Sequence, residues 1–142
     1  MEKELVLTTS VTINASKSKV WDALTNPEQI KKYFFGTEAV SDWKVGSTLI
    51  FKGVWDGKEY RDKGYILELE KEKKLKYSYW SSFSGTEDVT ENYAHITYEL
   101  SEQQGKTIFT LTQDGFKTKE AREHSEKNWQ AIFDSLKALL EK

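Results

Sequence analysis

The sequence predicts an α+β domain: a strand, two short helices, a run of antiparallel strands, and a long terminal helix that buries an apolar stripe on the sheet. Three observations carry this reading. Apolar and polar residues alternate at the N-terminus and again through residues 48–114, the period of strands with one buried face. From Lys119 the period lengthens, and Trp129, Ile132, Phe133, Leu136 and Leu140 recur at helical spacing,. Between two of the alternating stretches lies Asp56-Gly57, a pair that tolerates the positive φ of a type I′ hairpin turn. At 142 residues the chain has room for one hydrophobic core,.

The elements follow in order. Leu5, Leu7, Val11 and Ile13 occupy odd positions with Thr8, Ser10 and Thr12 between them, which makes the first element a strand,. Val20, Trp21 and Leu24 then share a helical face, and Ser16 stands before them as a cap whose hydroxyl accepts a backbone N–H,. Asn26-Pro27-Glu28-Gln29 opens a second helix. Asn26 caps it, Pro27 takes the first position, where a missing N–H costs nothing, and Gln29 reaches back. The tandem helices end near Gly36. Strands are expected at Thr48–Trp55, Lys58–Leu69, Leu75–Ser81, Tyr93–Ser101 and Lys106–Asp114, with reversals at Glu72-Lys73 and Gln104-Gly105,. The last helix has Glu123 and Lys127 as an i,i+4 pair on its outer side,. At about 23 residues, or roughly 34 Å, it is long enough to lie across a whole curved sheet. A strongly twisted sheet around one helix leaves space between them unless large side chains fill it, and that space is the candidate functional feature.

Composition excludes several function classes. The chain is 37% apolar, 13% aromatic and 31% charged, which suits a folded domain and neither a disordered chain nor a coiled coil,. Lys and Arg number 21 against 23 Asp and Glu, so no positive field attracts nucleic acid or an anionic membrane,. The absence of cysteine removes disulfides, thiol nucleophiles and thiolate metal sites,. No run of 18 apolar residues occurs and the N-terminus alternates, so a cytoplasmic setting is expected,. There is no nucleophile elbow, P-loop or dinucleotide fingerprint,. His95 is expected on the solvent side of its strand. His124 stands one turn from Glu120 and from Asn128, but no third ligand completes a metal site,. Neither a metal nor a cofactor is therefore expected. Glu68 and Glu70 lie on the face opposite Leu67 and Leu69 and are expected to meet water.

The stretch Val11-Thr-Ile-Asn-Ala-Ser-Lys-Ser-Lys-Val20-Trp21-Asp22-Ala23-Leu24-Thr25-Asn26-Pro27-Glu28 resembles the opening signature of single-domain proteins grouped with the C-terminal domain of the activator of the ninety-kilodalton heat-shock protein ATPase. Further segments resemble the same family in order: Asp42-Trp-Lys-Val-Gly46, Gly64-Tyr-Ile-Leu-Glu68, Leu75-Lys-Tyr-Ser-Tyr-Trp80, Ile96-Thr-Tyr-Glu-Leu100, Thr110-Leu-Thr-Gln-Asp-Gly-Phe116, and Trp129 to Leu140. Tyr33, where relatives often carry Trp, and Ser47, where many have a second Gly, depart from it. The resemblance implies a START-like helix-grip fold over residues 1–142, with a curved antiparallel sheet gripping the C-terminal helix and an apolar cavity between them. On this reading one domain accounts for the chain, and the separate N-terminal domain of eukaryotic activators is expected to be absent. The superfamily includes lipid and hormone binders, polyketide cyclases and the co-chaperone itself, so fold alone does not choose a function.

Strand parity turns Phe51 and Trp55, Tyr65 and Leu67, Tyr77 and Tyr79, Ile96 and Tyr98, and Phe109, Leu111 and Gln113 toward the helix, which answers with Trp129 and Phe133,. From these the candidate ligand-cavity set is Phe51, Trp55, Tyr65, Tyr79, Tyr98, Phe109, Gln113, Trp129 and Phe133. Its polar tips, Tyr65, Tyr79, Tyr98 and Gln113, sit on a face that packing alone would fill with aliphatic residues. The same aromatics also suit an ordinary core in which they pack on one another. The function expected first is a non-catalytic binding protein for a small hydrophobic or aromatic molecule, acting as a monomer or homodimer. The alternatives are a co-chaperone-like protein with a chaperone partner, and a cyclase- or hydrolase-type enzyme, which would need a buried ionisable group.

Overall fold

The computed structural model describes residues 5–34, 36–55, 57–81 and 87–141, without the side chains of Trp55 and Thr90. Its elements are β1 (Leu7–Ile13), α1 (Lys17–Thr25), α2 (Pro27–Tyr33), β2 (Glu38–Ser41), β3 (Thr48–Trp55), β4 (Lys58–Glu70), β5 (Lys74–Tyr79), β6 (Ala94–Gln103), β7 (Lys106–Gln113) and α3 (Lys119–Leu140). The strands form one antiparallel sheet in the order β1-β7-β6-β5-β4-β3-β2. β1 thus closes against the last strand, with Leu7 opposite Gln113 and Ile13 opposite Thr107. The tandem helices carry the chain from the β1 edge to the β2 edge.

Local chemistry fixes the helix ends. The Ser16 hydroxyl accepts the Lys19 N–H at 3.3 Å, and the Asn26 side chain accepts the Glu28 N–H at 3.0 Å,. Gln29 contributes its own backbone N–H, donated to the Asn26 carbonyl at 2.9 Å. Thr118 caps α3 by accepting from the Ala121 N–H at 3.1 Å. The buried Thr107 hydroxyl donates to the Ala15 carbonyl at 2.7 Å, tying β7 to the start of α1. α3 then lays Trp129, Ile132, Phe133 and Leu136 in the same core cluster as Leu111, Leu75 and Ile66, with Phe133 edge-on to Phe109.

Three sequence expectations need correction. β2 was not foreseen; it has four residues, and its existence depends on pairing with β3, with Ala39 opposite Phe51. On α3 the ion pair lies at the C-terminal end, between Lys137 and Glu141 at 3.9 Å, and not between Glu123 and Lys127. The third correction is parity in β4. Tyr65 and Leu67 are 42% and 39% exposed, while Asp62, Gly64 and Ile66 are buried. A register shift between Ile66 and Glu68 gives the reason. The bulge adds one residue, so the odd-numbered phase that correctly turns Leu69 onto the core places Tyr65 and Leu67 on the convex side,.

Gly64 shows how tightly β4 and β5 approach: an ideal Cβ there would sit 1.6 Å from the Ser78 carbonyl oxygen. The Tyr65 N–H donates to the Ser78 hydroxyl at 3.0 Å beside it. Gly64→Ala must therefore push β5 away from β4, and we expect it to lower unfolding free energy in denaturant melts by about 3 kcal/mol. A loss below about 0.5 kcal/mol would contradict the approach.

Candidate functional site

Between α3, the end of α2 and the concave face lies a continuous set of aromatic rings. Phe34, the residue after α2, stacks on Phe51 at 5.9 Å between centroids and meets Trp129 edge-on at 6.2 Å. Trp129 meets Tyr98 edge-on at 6.1 Å, and Tyr98 meets Tyr77 at 5.5 Å and Phe109 at 5.1 Å in the same manner. Phe109 and Phe133 complete the set at 5.3 Å. Edge-to-face contacts of this kind place the positive rim of one ring on the negative face of the next and hold each ring's orientation.

The polar tips are paired within the protein. Tyr77 and Tyr98 share a hydroxyl–hydroxyl bond of 2.8 Å in a fully buried setting. The Tyr79 hydroxyl donates to the buried Asp62 carboxylate at 2.6 Å. The Gln113 side-chain oxygen accepts from the Trp129 indole N–H at 2.9 Å and from the Ser125 hydroxyl at 3.2 Å. Nearby, Thr37 and Tyr60 are joined through their hydroxyls. Burial pushes the phenols of Tyr33, Tyr77, Tyr79 and Tyr98 above their ordinary value, and for Tyr79 the Asp62 charge adds to the effect,. All four are neutral at physiological pH.

A small internal cavity of about 10 Å³ remains beneath α2, bounded by Tyr33, Phe34, Phe51, Tyr77 and Tyr98. That volume is room for one water molecule. An open cleft of about 320 Å³ lies elsewhere, bordered by Leu5, Val6, Tyr93, His95, Asp114 and Phe116. There Asp114 accepts the His95 backbone N–H at 2.7 Å and contacts its ring nitrogen at 3.2 Å. His95 is on the solvent side, as its parity implies, and His124 is exposed. Glu68 stands half-exposed and pairs with Lys74 at 3.0 Å. No group of three or more acidic or His side chains among the described residues is arranged to hold a metal ion, and no helix there is long and apolar enough to cross a membrane.

Of the nine residues expected around the cavity, Phe51, Tyr98, Phe109, Trp129 and Phe133 come together in the buried set. Tyr79 borders it, 6.3 Å from Phe51, and Gln113 closes it at the end of β7. Tyr65 is on the opposite face, stacked on Tyr93 at 6.3 Å. The Trp55 side chain and Asp56 lie outside the described residues. Phe34 and Asp62 also belong to this region, without a sequence signal that marks them. Phe34 gave no periodic signal, being the cap of a seven-residue helix. Asp62 shares the even parity of Ile66, which was legible only once the bulge was known.

Two outcomes follow. Tyr79→Phe leaves the buried Asp62 without this donor and should cost about 1–3 kcal/mol in denaturant unfolding,; no loss would mean the pair is not formed. The raised phenols make the folded state bind their protons more tightly than the unfolded chain does. Stability from this source is fully present below the ordinary tyrosine value of 10.0 and is lost as pH rises above it,. Phenolate absorbance from these four should therefore appear only together with the loss of near-ultraviolet circular dichroism; phenolate formation in a chain that keeps that signal would contradict it.

The fold is shared with solved structures. ChR145 from Cytophaga hutchinsonii is 45% identical, with a TM-score of 0.85 over 99% of this chain and 97% of that one. The Aha1 dimer from Colwellia psychrerythraea is 22% identical, with a TM-score of 0.76 over 96% of each chain. CalU16 from Micromonospora echinospora is 20% identical, with a TM-score of 0.74 over 95% of this chain and 75% of its own. No curated protein matches the sequence. The helix-grip architecture, the likeness to ChR145, and a family-model match over residues 14–141 together place the chain in the family of Activator of Hsp90 ATPase homolog 1-like proteins.

Proposed function

We propose that the chain is a non-catalytic binding protein that takes a small hydrophobic or aromatic molecule between α3 and the sheet. The observation that carries this reading is the void beneath α2, lined by aromatic and aliphatic side chains, two of whose rings, Phe34 and Tyr98, meet Trp129 of α3 edge-on. Phe34 follows a helix of only seven residues, and its backbone has left helical geometry, with φ −109° and ψ 48°. It is thus a plug on a short connector, whereas Phe109 and Phe133 are fixed by strand and long helix. Displacing the ring would enlarge the void toward Trp129 without breaking a ladder of the sheet. The ligand's flat face would replace the lost ring contacts, and its polar atom would meet the tyrosine hydroxyls.

A thermal-shift screen with fatty acids, flavonoids and small aromatics tests this. Wild-type protein should melt at higher temperature with at least one of them. Phe34→Ala should lower stability by about 3 kcal/mol and tighten binding, because the plug is gone. If no compound stabilises either protein, the void is a packing defect. The family description then favours the second reading, a chaperone-interacting role, to be tested by pull-down with surface-charge variants against cavity variants. Asp62 is the specific observation behind a third, enzymatic reading, since it supplies the buried carboxylate that such chemistry needs,.

A further inference from the structure

The buried stripe of α3 does not stop at Trp129. Ser125, one turn earlier, is half-buried against Gln113, and Arg122 continues the same face by a further turn. Arg122 is half-buried, and its Nε atom is fully enclosed with no hydrogen-bond acceptor. Among the described residues no carboxylate pairs with its guanidinium; Glu120, Glu123 and Glu126, its acidic neighbours on the helix, are exposed. An enclosed guanidinium N–H with no acceptor is rare in native proteins, because burial removes its water without returning a partner. Guanidinium N–H groups form a planar fork that fits a carboxylate in two parallel bonds.

The spacing defines the complementary ligand. Seven residues separate Arg122 from Trp129, about 10 Å along the helix axis. We propose that Arg122 anchors the carboxylate of an apolar monoanion, such as a medium-chain fatty acid or an arene carboxylic acid, whose body reaches the aromatic set around Trp129 and Phe34. This rests on the ligand reading above and adds the class of ligand and its direction: charged end toward the N-terminal half of α3, apolar end inward. The first turn of α3, at the positive end of the helix dipole, supports the same polarity.

The test compares naphthalene-2-carboxylate and octanoate with naphthalene-2-carboxamide and octanamide, which match them in shape without the charge. Binding to the full chain is measured by calorimetry, and the Arg122 side-chain Nε–H resonance is followed by NMR. We expect each carboxylate to bind about tenfold or more tightly than its amide and to shift that resonance. Arg122→Gln, first shown to be folded by a cooperative melting transition, should remove the preference while leaving amide affinity within about twofold. Arg122→Lys, which keeps the charge but loses the fork, should restore only part of it, and it carries the comparison if Arg122→Gln does not fold. Equal binding of acid and amide, or a preference unchanged in the variants, overturns the anchor and leaves the ligand reading standing. If neither acids nor amides bind wild type, the anchor falls, and the ligand reading falls with it when the wider thermal-shift screen also finds no stabilising compound.

Discussion

The Trp129 indole is where the three parts of the molecule meet. Its ring edge contacts Tyr98 of β6 and Phe34 beyond α2, and its N–H is held by Gln113 at the end of β7. The Gln113 oxygen also takes the Ser125 hydroxyl, so two groups one turn apart on α3 are bound to one sheet atom. This sets the rotation of α3 about its axis, which in turn decides that Phe133 and Leu136, not their polar neighbours, face the sheet. A helix with only an aliphatic stripe would keep the same burial over a range of rotations; a buried indole N–H admits few.

The interior is richer in tyrosine than simple packing demands. Each buried hydroxyl obliges the fold to supply a partner, and here the partners come from distant segments: Tyr98 for Tyr77, Asp62 for Tyr79. Such pairs add little net stability, but a strand slipped by one residue would leave them unmade in a water-free setting, at a penalty of about 1–3 kcal/mol each. Tyr–Tyr and Tyr–Asp pairing thus helps fix register in a sheet whose β4 strand already carries a bulge.

How far the sequence discloses this arrangement depends on the range of the force concerned. Ser16, Asn26, Gly57 and the stripe of α3 act within a few residues of themselves, and helix starts, hairpin and terminal helix were read from them. β2 exists only because β3 offers a partner, and its four residues have no periodic signature. Tyr65 lies on the face opposite to the one its parity predicts because parity counts residues and a bulge adds one; only the pairing of Ile66 with Tyr77 and of Leu69 with Leu75 reveals it. Phe34 belongs to the site through contacts with Phe51 and Trp129, far from it in the chain. Local chemistry therefore gave the scaffold, while the lining of the void depended on long-range pairing.

The two halves of α3 are held very differently. In the C-terminal half, Trp129, Ile132, Phe133 and Leu136 are buried, and beyond them the Glu141 carboxylate accepts the Asn14 N–H at 2.8 Å. In the ten residues before Trp129, only Arg122 and Ser125 are even half-buried. Burial at roughly 2 kcal/mol per large apolar side chain concentrates the binding of this helix to the sheet in its last three turns. Local opening follows the weakest contacts, so the first turns of α3 will separate from the sheet before the last ones do. α3 is consequently held tightly around Leu136 and loosely around Arg122. Two rings that line the void beneath α2, Phe34 and Tyr98, meet Trp129 edge-on at the boundary between these halves. A molecule entering from the loose end would meet the guanidinium first and the aromatic rings second, the order in which a charged head and an apolar tail give up their water.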